Sequence, residues 1–82
     1  MGALQFLRAN MKQLRLRQGL TQQSLAERAD LEYKYVQKIE SGRWPGLQLR
    51  TVERLAHALG VEVWQLVEPP RLRLPRKRKP SG

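Results

Sequence analysis

Cysteine is absent from this 82-residue chain. That excludes disulfides, zinc–thiolate sites and a thiol nucleophile, and it fits a reducing compartment such as the cytoplasm. Histidine occurs once, as His57; a lone histidine in a helical pattern reads as neither a metal ligand nor a catalytic base. No cofactor and no metal are expected. No apolar run approaches the length of a membrane span, and the first residues lack the apolar core of a signal peptide. Met1-Gly2 opens like an acylation motif, but Phe6 stands where that motif needs Ser or Thr. A nucleophile–base pair and a phosphate-cradling glycine loop are missing too, which makes an enzyme the poorest reading. There is no internal repeat.

Acids are scarce: seven Asp and Glu stand against sixteen Lys and Arg, for a net charge of +9. The excess is uneven. Arg71, Arg73, Arg76, Lys77, Arg78 and Lys79 crowd the last twelve residues with no acid among them, a local charge of +6. The first 70 residues hold the other ten bases and all seven acids, a net +3. A chain so basic seeks a polyanion, and nucleic acid is the leading candidate.

Apolar spacing predicts an all-α fold, a compact bundle of four to five helices. Leu4, Leu7, Met11 and Leu14 recur at threes and fours and define a first helix of about 3 to 4 turns, with Gln, Arg, Lys and Asn on its other faces. Gly19 ends it and Leu20 turns back toward the core. Thr21 can cap a second helix running to Ala29, with Leu25, Ala26 and Ala29 on its apolar face. Asp30 breaks the pattern, being more tolerant of left-handed backbone than most residues. A third helix over about 32–41 buries Val36 and Ile39 and ends at Ser41-Gly42. Gly42 to Gly46 forms a loop around Pro45. Leu49, Val52, Leu55, Ala56 and Leu59 mark a fourth helix ended by Gly60, and Val61, Val63, Leu66 and Val67 a short fifth helix or turn closed by Pro69-Pro70. Residues 1–69 therefore form the domain. Residues 70–82, basic and proline-rich with few apolar side chains, form a tail expected to be disordered.

The second and third helices, joined by so short a turn, make a helix-turn-helix, the unit that lays its second helix in the DNA major groove. With Val36 and Ile39 facing the core, Tyr33, Lys34, Gln37 and Lys38 must face outward. Lys can donate to guanine O6 and N7, Gln can pair with adenine, and a tyrosine ring can meet a thymine methyl or bond a phosphate. Taken alone, the same four residues read first as an ordinary solvated helix face.

The landmarks Leu14-Arg15, Gly19-Leu20-Thr21-Gln22, Leu25-Ala26, Ile39-Glu40-Ser41-Gly42, Pro45, Leu55-Ala56, Leu59-Gly60-Val61 and Leu66 are each weak but jointly specific. In this order the chain resembles the Cro and phage-repressor class of helix-turn-helix proteins, the XRE family of bacterial transcriptional regulators, over about residues 7–67. The resemblance implies a lambda-repressor-like bundle in a cytoplasmic, nucleoid-associated bacterial or phage-encoded protein. It also implies a homodimer that binds double-stranded DNA and acts as a regulator, most simply a repressor. It puts base contacts at Tyr33, Lys34, Gln37 and Lys38, a phosphate clamp at Gln22, and backbone contacts in the loop at Arg43 and Trp44; Trp44 reads alternatively as a cap on the core edge. Arg15 and Glu40 match a structural ion pair that orients the third helix. The sequence departs from the family at Glu32, where a Ser or Thr cap is usual, at Asp30, where Gly is usual, and in a loop about one residue longer before the fourth helix.

Trp64 and Val67 read either as the end of the core or as a contact with a second copy. The basic tail reads as a DNA-following arm, a solvated tail or a localisation signal. A second functional class stays open, since some relatives are antitoxins: a module whose main role is binding a protein partner such as a toxin, with DNA secondary.

Overall fold

In the computed structural model, residues 2–43 and 46–70 are described, and five helices follow one another: α1 (Ala3–Arg17), α2 (Gln22–Ala29), α3 (Tyr33–Glu40), α4 (Leu49–Leu59) and α5 (Val63–Val67). Met1, Trp44, Pro45 and the basic tail from Arg71 lie outside the described residues, so the expectations for Trp44 and the tail are not addressed by the fold. Among the described residues no helix is long and apolar enough to cross a membrane.

Each helix buries the face that its spacing marks. Leu7 and Met11 of α1, Leu25 of α2, Val36 of α3, Leu55 of α4 and Leu66 of α5 meet in one core with almost no exposure. The α1 helix packs against α3, α4 and α5, while α2 lies across α3 and α4. Two residues depart from the expected apolar pattern. Leu4 and Leu49 sit in the first turns of α1 and α4 and are exposed.

The expected caps form. Thr21 Oγ1 accepts from the Ser24 N–H at 2.9 Å, and Ser24 Oγ accepts from the Thr21 N–H at 2.9 Å, a reciprocal capping box that starts α2. Glu32 makes no side-chain cap at α3. Helices α1 to α4 all stop the same way. A residue with positive φ (Gly19, Asp30, Gly42 or Gly60) is followed by an N–H that reaches back five residues, as from Leu31 to the Ala26 carbonyl at 2.8 Å. Among the described residues Asp30 alone does this without being glycine, at φ 60° and ψ 45°, and its short side chain is what makes that conformation accessible.

One expectation for α1 is corrected. Asn10 does not join the solvated faces but is 4% exposed. It follows Leu7 by three residues and so lies on the apolar stripe. Its Nδ2 donates to the carbonyls of Leu66 and Glu68, both at 2.8 Å. Those carbonyls belong to the end of α5, where no further turn of helix supplies a donor. Just past α1, Gln18 Nε2 donates to the Leu59 carbonyl at the end of α4, at 2.9 Å. Near its start, Arg8 Nε donates to the Glu40 carbonyl at the end of α3, at 2.6 Å. Thus α1 and the residue after it cap the C-termini of three other helices.

Asn10→Ala should cost about 2–3 kcal/mol in urea unfolding, because it strands the Leu66 carbonyl in the interior. A loss below about 1 kcal/mol would mean that α5 does not depend on this amide.

Candidate nucleic-acid interface

The orientation of α3 follows from what it buries. Val36, Ile39 and Glu40 point inward, while Tyr33, Lys34, Gln37 and Lys38 are exposed. The alternation is helical: the buried set and the exposed set each recur at threes and fours, so one rotation of the helix satisfies both.

That rotation is held by Glu40. Its carboxylate takes a two-pronged contact from Arg15, Nε to Oε2 at 2.7 Å and Nη2 to Oε1 at 3.0 Å. Both side chains are nearly out of solvent, at 9% and 4%. Arg15 Nη1 also donates to the Leu20 carbonyl at 2.9 Å, so the guanidinium ties the end of α1, the turn before α2 and the end of α3 together. Gln22 Nε2 adds a third donor to the carboxylate, at Oε1 and 2.9 Å. The backbone carbonyl of the same residue receives Arg8 Nε, and the Arg8 stem runs past Gly42. The expected Arg15–Glu40 pair is therefore present and is the centre of a larger network.

An open groove runs beside this network. Its lining includes Gln22 from α2, Lys34, Gln37 and Lys38 from α3, Arg43 from the following loop, and Lys12 from α1. Five of the seven residues expected to meet a nucleic acid thus share one surface. Tyr33 lies at a neighbouring depression with Thr21, Gln22 and Gln23, and its hydroxyl accepts from Gln37 Nε2 at 3.0 Å. Trp44, the seventh, is among the residues not described. Gln22 faces the groove with one of its two amide N–H bonds committed to Glu40, leaving the second for a ligand. Glu32 stands at the start of α3 with Oε1 3.8 Å from Lys34 Nζ, both widely exposed. So open a pair holds Lys34 weakly.

Lys12 was not among the residues expected from sequence. A signal for it exists: Arg8, Lys12 and Arg15 are spaced by four and three, so they share one face of α1. The outer two of that row bind Glu40, which places the middle one at the groove. The groove thus offers Lys12, Lys34, Lys38 and Arg43 as cations, while the carboxylate beneath them already has Arg15 as its partner. Chemically it can receive an elongated anion and present amide and ammonium groups to it. Among the described residues no cluster of three or more His, Cys, Asp or Glu could hold a metal ion.

Arg15→Ala should cost about 3–5 kcal/mol by leaving a buried carboxylate unpaired, enough to unfold a domain of ordinary stability. Replacing Arg15 and Glu40 together by Met should restore much of that loss. Urea unfolding of the two variants checks both statements, and equal destabilisation by each would contradict them.

Comparisons with known proteins bear on the same region. Residues 7–66 match the model of the helix-turn-helix domain family. A protein of Neisseria meningitidis serogroup B described as a Neisseria hypothetical transcription factor is 40% identical over 65 residues, which are 79% of this chain and 60% of the relative. This chain therefore spans about three fifths of that relative's length. The crystal structure of the hypothetical transcription factor NHTF from Neisseria superposes with a TM-score of 0.76 at 38% identity, covering 79% of this chain and 74% of the other. The five helices, the short turn at Asp30 and the matched span agree, and the chain belongs to the helix-turn-helix domain family.

Proposed function

We propose that this protein binds double-stranded DNA in a sequence-specific manner and regulates transcription, with α3 in the major groove. The observation that carries the reading is the groove itself. Lys34, Gln37 and Lys38 of α3 stand beside Lys12, Gln22 and Arg43, above an α3 whose rotation is held by the buried Glu40. Exposed amide and ammonium groups on a helix suit base edges, and flanking cations suit the phosphates on either side. The names of the Neisseria relatives agree with this reading.

Within it, Lys38, Lys34 and Gln37 read bases. Arg43, Lys12 and the second N–H of Gln22 hold phosphates. The resemblance to Cro and phage repressors supports a repressor of the XRE type in which residues 1–69 form the binding domain. The six bases of residues 71–82 add affinity without sequence choice, because charge attracts every phosphate alike. A homodimer on an inverted repeat completes the reading. Trp64 is its candidate contact, since it is 58% exposed on α5 while Val67 packs partly against the core.

Selection of sites from a random duplex pool at near-physiological salt tests the proposal. Enrichment of an inverted repeat with half-sites about one helical turn apart is the expected result. Binding without enrichment that vanishes as salt rises would reduce the protein to a charge-driven DNA associate. Two substitutions separate the roles. Lys38→Ala should weaken the selected site by about 1–3 kcal/mol more than random duplex. Lys12→Ala should weaken all duplexes alike and lower the salt slope by about 1. Equal loss on both duplexes for Lys38→Ala would remove it as a base reader.

A further inference from the structure

Gln37 and Tyr33 lie one turn apart on the exposed face of α3, and Gln37 Nε2 donates to the Tyr33 hydroxyl oxygen at 3.0 Å. An exposed glutamine amide ordinarily rotates, and its two ends are nearly alike in shape. Its chemistry at a base edge depends on which end leads. With the oxygen toward the base's exocyclic group it matches adenine, whose N6 donates and whose N7 accepts. With nitrogen there it matches guanine, whose O6 and N7 both accept.

From this geometry we infer that Tyr33 is a positioning residue that fixes the Gln37 amide for adenine. The inference rests on the proposed DNA-binding function and deepens it. An amide nitrogen carries two N–H bonds, one on the same side as the amide oxygen and one on the far side. In the proposed arrangement the far N–H is the one that donates to the Tyr33 hydroxyl. The near N–H and Oε1 then lie side by side, the donor–acceptor pair that N7 and N6 of adenine require. Against guanine the same arrangement sets Oε1 opposite O6, two acceptors with no proton between them. Rejection of guanine thus comes from an unpaired contact as much as from a lost bond. The tyrosine itself need not touch a base, which separates this role from the thymine-methyl or phosphate contact that its residue type allows.

The spacing supports the pairing independently of any bound DNA. Residues four apart lie one above the other on a helix, and Tyr33 at the first position of α3 stands one turn before Gln37. Backbone and side chain thus pre-order the amide before an encounter. When water leaves the interface, the bond strengthens because its competitor is gone.

The test is Tyr33→Phe, which keeps the ring and removes the oxygen, in the full-length chain. Site selection with the unaltered protein, followed by competition between duplexes differing only at the base read by Gln37, gives the ratio of adenine to guanine affinity. That base is identified as the position where Gln37→Ala loses preference. It should be adenine, and Tyr33→Phe should reduce the adenine-to-guanine ratio at that position by about tenfold while random-duplex affinity stays within about twofold. An unchanged ratio in Tyr33→Phe would overturn the inference, as would guanine at the Gln37-dependent position. A uniform loss on all duplexes would make Tyr33 a phosphate ligand and overturn it too. Failure of the unaltered protein to select any site would instead overturn the DNA-reading function, and the inference would fall with it.

Discussion

A single carboxylate constrains this fold. Glu40 ends α3, is buried, and is reached by Arg15 from α1 and Gln22 from α2, while its carbonyl is reached by Arg8. Removing a charge from water costs several kcal/mol, and the cost is offset only when every lone pair finds a donor. Here three side-chain donors from two other helices reach the carboxylate, two at Oε1 and one at Oε2. An eight-residue helix has little stability of its own. The angle of α3 is therefore set by the network around Glu40 and by Val36 and Ile39 beneath it, not by its own backbone.

The same economy appears at the helix ends. Helices of this length leave a large share of their backbone groups without an intrahelical partner. Left-handed residues after α1 to α4 satisfy some of the carbonyls locally. The side chains of Arg8, Asn10 and Gln18 satisfy others at long range, on α3, α5 and α4. A core of mostly small and medium apolar residues is thus supplemented by polar ties from the longest helix, and α1 acts as the holder for the rest.

This construction leaves the outer face of α3 exposed. Val36, Ile39 and Glu40 face the bundle, while Tyr33, Lys34, Gln37 and Lys38 face away from it. Stability and the proposed base reading are divided between two faces of one short helix. The proposed phosphate ligands come from elsewhere: Lys12 from α1, Gln22 from α2 and Arg43 from the loop. Gln22 belongs to both systems, facing the groove while it bonds Glu40, so a phosphate bound there would also bear on the placement of α3.

Much of the helical frame was legible in the sequence. Threes-and-fours spacing marks the first four helices and leaves α5 open between a helix and a turn, Thr21 and Asp30 announce the edges of α2, and the exposed face of α3 follows once Val36 and Ile39 are set inward. These are local matters: a residue's helical phase and its tolerance of a cap or a positive φ depend on its own chemistry and that of its near neighbours. The pairing of Arg15 with Glu40 came from resemblance, not from spacing. Contacts between residues far apart in the chain come only with the packing. Asn10 carries no mark of burial in the sequence, because polarity says nothing about a carbonyl fifty-six residues away. Arg8 and Lys12 looked like surface charge until the end of α3 was laid against α1. Leu4 and Leu49 looked like core because periodicity records a face but not whether another helix covers it. Local chemistry places the helices and marks the face each one turns inward; the packing decides which polar groups meet, since a hydrogen bond needs two partners and a stretch of chain holds only one of them.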